Sequence, residues 1–117
     1  MKILIVEPGR EPRTKEINGT LREMQDVVGG LIQAVYPFDE LVALVCNDEG
    51  KLLGLPLNRA LRLPETGEVY DVIAGTFFLC GAPPDSNRFA SLTDEQLSRY
   101  AQRFRVPEFF AEEADEV

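Results

Sequence analysis

The chain predicts an α+β fold, a small, mainly antiparallel sheet with two helices packed on it. Three observations carry this expectation. Short apolar runs rich in β-formers outnumber helical periods. Capping boxes, the sign of a full helix start, occur at Thr20 and Thr93. The resulting order, β-β-α-β-β-loop-β-α, bunches strands instead of alternating them with helices.

Ile3 to Val6 is a short β-branched run closed by Glu7-Pro8-Gly9, so it reads as a buried first strand and a turn. Arg13 to Ile17 is polar and suits an edge strand, closed by Asn18-Gly19. Thr20-Leu21-Arg22-Glu23 is a capping box: the hydroxyl accepts from the Glu23 amide, and the carboxylate reaches back to the Thr20 amide. Leu21, Met24, Val27 and Val28 then share a face, and Gly29-Gly30 ends the helix. Leu31–Tyr36 and Leu41–Cys46, separated by Pro37-Phe38-Asp39-Glu40, predict a hairpin at the centre of the sheet.

Residues 51–63 lack a clean period. They read as a loop with a short helical turn starting near Pro56. Val69 to Cys80 predicts one long strand, or two joined at Gly75. A Pro/Ser/Asn loop leads to the second capping box, Thr93-Asp94-Glu95-Gln96, with Leu92 and Leu97 as its staple. Leu97, Tyr100, Ala101 and Phe104 form the buried face, Arg99 and Arg103 lie one turn apart on another side, and Pro107 stops the helix. Phe109-Phe110 is expected to dock. Residues 1–107 are taken as the domain and 108–117 as an acidic tail.

Composition narrows function. At 117 residues and 44% apolar content the chain suits one domain and needs no metal or disulfide staple. Its net charge is −8, but five acids fall in the last ten residues, and the body without them carries −3. Such a field opposes nucleic-acid binding, and acids gathered in a tail do not make a nucleic-acid mimic. No apolar stretch is long enough for a membrane span or a signal segment, so a cytoplasmic chain is expected. Cys46 and Cys80 each end an apolar run and read as buried, reduced thiols; a bridge between them is the alternative.

The chemistry-bearing patterns are sparse. Histidine is absent, which removes the commonest general base and, with two cysteines, an ordinary zinc site. Ser86, Ser91 and Ser98 sit in a loop or beside a helix cap with no base near them in sequence. The pairs Asp39-Glu40, Asp48-Glu49 and Asp94-Glu95 occupy turns or a helix start, where acids serve solvation and the helix dipole. There is no phosphate-binding glycine loop with its lysine. No catalytic residue, metal or cofactor is therefore assigned, and the chain reads as a non-enzyme.

The strongest candidate is Leu52-Leu53-Gly54-Leu55-Pro56-Leu57-Asn58-Arg59-Ala60-Leu61. Asn58 and Arg59 are polar residues among apolar ones, expected on a loop where a guanidinium could fork onto phosphate and an amide could read a base edge. The competing reading has Asn58 bonding backbone and Arg59 pairing with an acid. Arg99 and Arg103 would add charge, Thr76 and Phe77 a ligand or subunit wall, and Tyr36, Tyr70 or Phe77 a stacking surface.

Val6-Glu7-Pro8-Gly9, Val28-Gly29-Gly30, the run Cys46 to Leu52, the run Gly54 to Leu61, and Ile73 to Phe78 occur in an order that resembles a family catalogued as domain of unknown function 3846. The resemblance covers roughly residues 1–105 and implies no activity or catalytic residue. It implies a phage, plasmid or integrative-element setting and, by genomic association, a counter-defence role. Two functions are expected from residues and resemblance together. One is sequestration of a small anionic ligand, such as a nucleotide-derived immune signal, in a site formed between subunits of a homo-oligomer. The other is an adaptor or inhibitor that binds a host defence protein through Phe109-Phe110 or the acidic tail.

Overall fold

A computed structural model describes residues 1–111. Strand β1 (Lys2–Val6) is followed by β2 (Arg13–Glu16), α1 (Leu21–Val28), β3 (Ile32–Val35), β4 (Val42–Asn47), β5 (Leu57–Arg62), β6 (Val69–Ala74), β7 (Phe77–Gly81) and α2 (Asp94–Arg103). Both helices begin where expected. Thr93 and Gln96 complete a reciprocal capping box. Thr20 accepts from the Glu23 amide, but the Glu23 carboxylate reaches the amide of Asn18 instead of that of Thr20. Gly29 stops α1 in the left-handed conformation, at φ 78°.

The main sheet has the order β2-β1-β7-β4-β3, with every pairing antiparallel. The α+β class with a mainly antiparallel sheet is thus what the chain forms. The expected hairpin forms, β3 pairing antiparallel with β4, but its central place is corrected: β3 is an edge strand, and the centre is β7, flanked by β1 and β4. Local apolar runs reveal which segments are strands but not which distant strand separates them. Every residue of β4 and β7 is buried, because both faces of the sheet are covered.

Alternation along the strands sorts the core into two layers. Ile3, Ile5, Ala43, Val45, Phe78 and Cys80 pack with Met24 and Val28 of α1. Leu4, Val6, Val42, Leu44, Phe77 and Leu79 pack on the other face with Leu97, Tyr100 and Phe104 of α2 and with Leu61 and Ile73. The stapling pair Leu92 and Leu97 shares this second layer. Cys46 and Cys80 are free and lie in opposite layers, so the sheet itself separates the two thiols.

Leu61 and Ile73 come from a second sheet of β5 and β6. Here the expected loop with a helical turn is corrected to strand β5. Its register shifts between Leu57 and Arg59, and that irregularity erases the two-residue period a strand normally shows. The run Val69–Cys80 is two strands in different sheets, parted at Gly75 (φ 84°). α2 ends at Arg103, ahead of Pro107. The expected docking of Phe109-Phe110 is corrected in part: Phe109 is 92% exposed, whereas Phe110 is half-buried. Of the acidic stretch 108–117, residues 112–117 lie outside the described residues. Among the described residues, no helix is long and apolar enough to cross a membrane.

Candidate functional site

Strand β5 carries Asn58 and Arg59 into the interior, where both are fully buried. The expected loop placement, with the pair open to a ligand, is therefore corrected. The Asn58 amide donates to the carbonyls of Val6 and Gly75, each at 2.9 Å. It ties β5 to the end of β1 and to the point where the chain leaves β6. Arg59 continues the network: Nε and Nη2 donate to the Phe104 carbonyl at 3.2 and 2.8 Å, Nη2 to the Arg10 carbonyl at 2.7 Å, and Nη1 to Asn58 Oδ1 at 2.8 Å.

A guanidinium presents its donors in a fixed fork, so one cation can hold several carbonyls at set angles. Burial pulls the Arg59 pKa down from its ordinary value, and the nearby Glu108 carboxylate pushes it back up. Glu108 itself accepts from the Ala60 amide at 3.2 Å and pairs with Arg62 at 3.4 Å. Asn58 does bond backbone, as the structural alternative had it; Arg59 bonds carbonyls and an amide oxygen instead of an acid. Among the described residues, no buried side-chain polar atom is left without a partner. The network is closed, and a ligand could enter only by breaking it.

The other candidates do not converge on it. Phe77 is fully buried edge-on to Phe104, at 5.6 Å between centroids, and offers no face for stacking. Tyr36 and Tyr70 are exposed, but on β3's end and on β6, in different sheets. Arg99 pairs with Glu40 and Glu95, and the hydrogen bond it donates, helped by one from Gln96, holds the Glu40 carboxyl below the usual carboxylate range against the opposing effect of burial. Arg103 lies over the rings of Phe38 and Phe104, at 5.0 and 5.7 Å, in cation–π contact. These two arginines fasten α2 to the β3–β4 connection.

Tyr36 borders a hollow beside Arg88, and Thr76 reaches one with two further basic groups. About 260 Å³ lies between β2 and α1, lined by Arg13, Lys15, Thr76, Glu23 and Asp26 among others. Arg13 and Lys15 alternate along β2 and so share its α1-facing side, opposite Ile5 and Ile3. That spacing is legible in the sequence, although Arg13 is drawn to Glu7 at 3.2 Å.

The front half of the candidate segment behaves differently from its back half. Leu52 is 86% and Leu53 60% exposed on the β4–β5 connection. Backbone bonds from Leu53 to Glu49 and from Leu55 to Gly50 hold that connection in shape. Beside it, Leu52 joins Gln33, Asn47, Lys51, Asp71 and Val72 around a shallow hollow of about 150 Å³. Among the described residues, no group of histidine, cysteine or carboxylate side chains is placed to hold a metal.

A family model described as "Domain of unknown function (DUF3846)" matches residues 1–105. No curated protein and no solved structure matches the chain.

Proposed function

The chain belongs to the DUF3846 family, and from that premise we propose that it is a non-catalytic module that binds another protein, with Leu52 and Leu53 as its anchors. The observation that carries this reading is the exposure of both leucines on a connection fixed by its own backbone bonds. Burying one such side chain is worth about 1.5–3 kcal/mol, so a partner that covers the pair gains from both at once. A pre-shaped connection also loses little freedom on binding. The rim of polar groups around the adjoining hollow would set orientation.

Sequestration of a small anion finds less support. Two of the residues expected to hold phosphate are interior, and the basic hollow by Thr76 is shared with Glu23 and Asp26. The setting proposed is the cytoplasm, with a host defence protein as the partner of a phage or mobile-element accessory. Affinity capture with the full chain from lysate of its source, against the double variant Leu52→Asp/Leu53→Asp, tests the anchors. The variant is expected to melt as the native chain does and to lose the captured protein. Capture indifferent to the two leucines, or calorimetric binding of a cyclic or linear nucleotide, would overturn the reading.

A further inference from the structure

The sheets end in four strand edges, and three of them are guarded. β2 carries Arg13, Lys15 and Glu16, with Pro12 just before it. On β5 the outward Ala60 amide is taken by the Glu108 carboxylate, and on β6 the Val72 amide is taken by Asp71. Charge, proline and side-chain capping are the usual defences of an edge. Strand β3 itself carries none of them among the described residues, Pro37 falling two residues past its end. Leu31 to Tyr36 contains no charged residue and no proline, and Leu31 and Tyr36 are 58% and 63% exposed.

The backbone of that edge is also free. The Leu31 carbonyl accepts from the Asp48 amide, so odd-numbered residues face β4. The alternation of an antiparallel ladder then turns the N–H and C=O groups of Ile32 and Ala34 outward. Among the described residues, no strand or bridge pairs with them.

We propose that β3 pairs antiparallel with β3 of a second copy of this chain, joining two five-stranded sheets across a two-fold axis. The register follows from the outward groups. Ile32 exchanges backbone bonds with the partner's Ala34, and Ala34 with the partner's Ile32. Gln33 then meets its own counterpart on the axis, and Leu31 lies opposite Val35. Large residues meet smaller ones, no like charges face each other, and the exposed Leu31 gains an apolar neighbour. A second copy fits better than a foreign strand because a two-fold pairing must be self-complementary, and an uncharged segment is so despite the chain's net charge of −8. The interface is centred on one strand and yields a reversible dimer.

Sedimentation equilibrium over a wide concentration range tests this, with Gln33→Lys and Gln33→Glu as variants. Gln33 is exposed, so neither change disturbs the core. Native protein should approach twice the mass of one chain. Each variant alone, with like charges on the axis, should dimerise at least about tenfold more weakly. Mixing the two variants should restore association. Independently, hydrogen exchange at the Ile32 and Ala34 amides should slow as concentration rises. A native chain that stays monomeric up to about millimolar, or a dimer indifferent to both variants, would overturn the proposal. Association is read on the purified chain with no other protein present, so its outcome stands apart from that of the capture experiment.

Discussion

Arg59 spends its charge on structure. One side chain binds the carbonyl after α2, the carbonyl of Arg10 in the β1–β2 turn, and its neighbour's amide oxygen. A lysine keeps the charge but not the fork. Arg59→Lys is expected to cost about 2–3 kcal/mol in urea unfolding, since hydrogen bonds to charged groups are the strong ones; a loss below about 0.5 kcal/mol would contradict the network. The thiols make a second residue-scale prediction. Burial pushes Cys80 up to about 12 and raises Cys46 as well, and the thiolate is the reactive form. Both should resist Ellman's reagent at pH 8 in native protein and react at once in denaturant. The nature of Asn58 and Arg59 was visible in the sequence, as an uncommon polar pair among leucines. Their role was not, because a buried polar cluster needs partners from residues 6, 10, 75 and 104, which no local window contains.

Elements that begin with a local chemical signal were legible: Thr20, Thr93 and Gly29 mark helix ends by bonds made within a few residues. β5 was not, because its bulge breaks the period and its burial comes from α2 and the main sheet. The split of β6 from β7 is held at Gly75. Its amide bonds Pro56 at 2.7 Å, and a Cβ there would stand 2.7 Å from Leu55 Cδ1. Gly75→Ala should destabilise by about 1–3 kcal/mol through its left-handed backbone and that clash, read as a lowered denaturant midpoint. α2 is fastened to the β3–β4 connection through Glu40, which accepts from Gln96 and Arg99. Because the folded Glu40 carboxyl sits below its usual range, this stabilisation is present above about pH 4.3, the unfolded value. It is lost as pH falls through the folded value. Glu40→Gln should therefore show a shallower fall in melting temperature between about pH 5 and pH 2 than the native chain does.

At the scale of the whole molecule, one sheet is clothed on both faces, by α1 on one side and by α2 with the β5–β6 pair on the other. The α+β class and the two helices could be expected from patterning. The strand order could not, since β1 is enclosed by β7, more than seventy residues along the chain. That same arrangement governs how the protein is born. During synthesis β1 and β4 emerge early, yet each must wait for β7 before its inner edge is paired. Tethered nascent chains stopped before residue 77 should be digested by protease, whereas chains with residue 104 clear of the ribosome should resist. Resistance already present without β7 would refute this. Until that late strand arrives, the growing polypeptide carries two open apolar edges, and a translating cell must shield them or tolerate their stickiness.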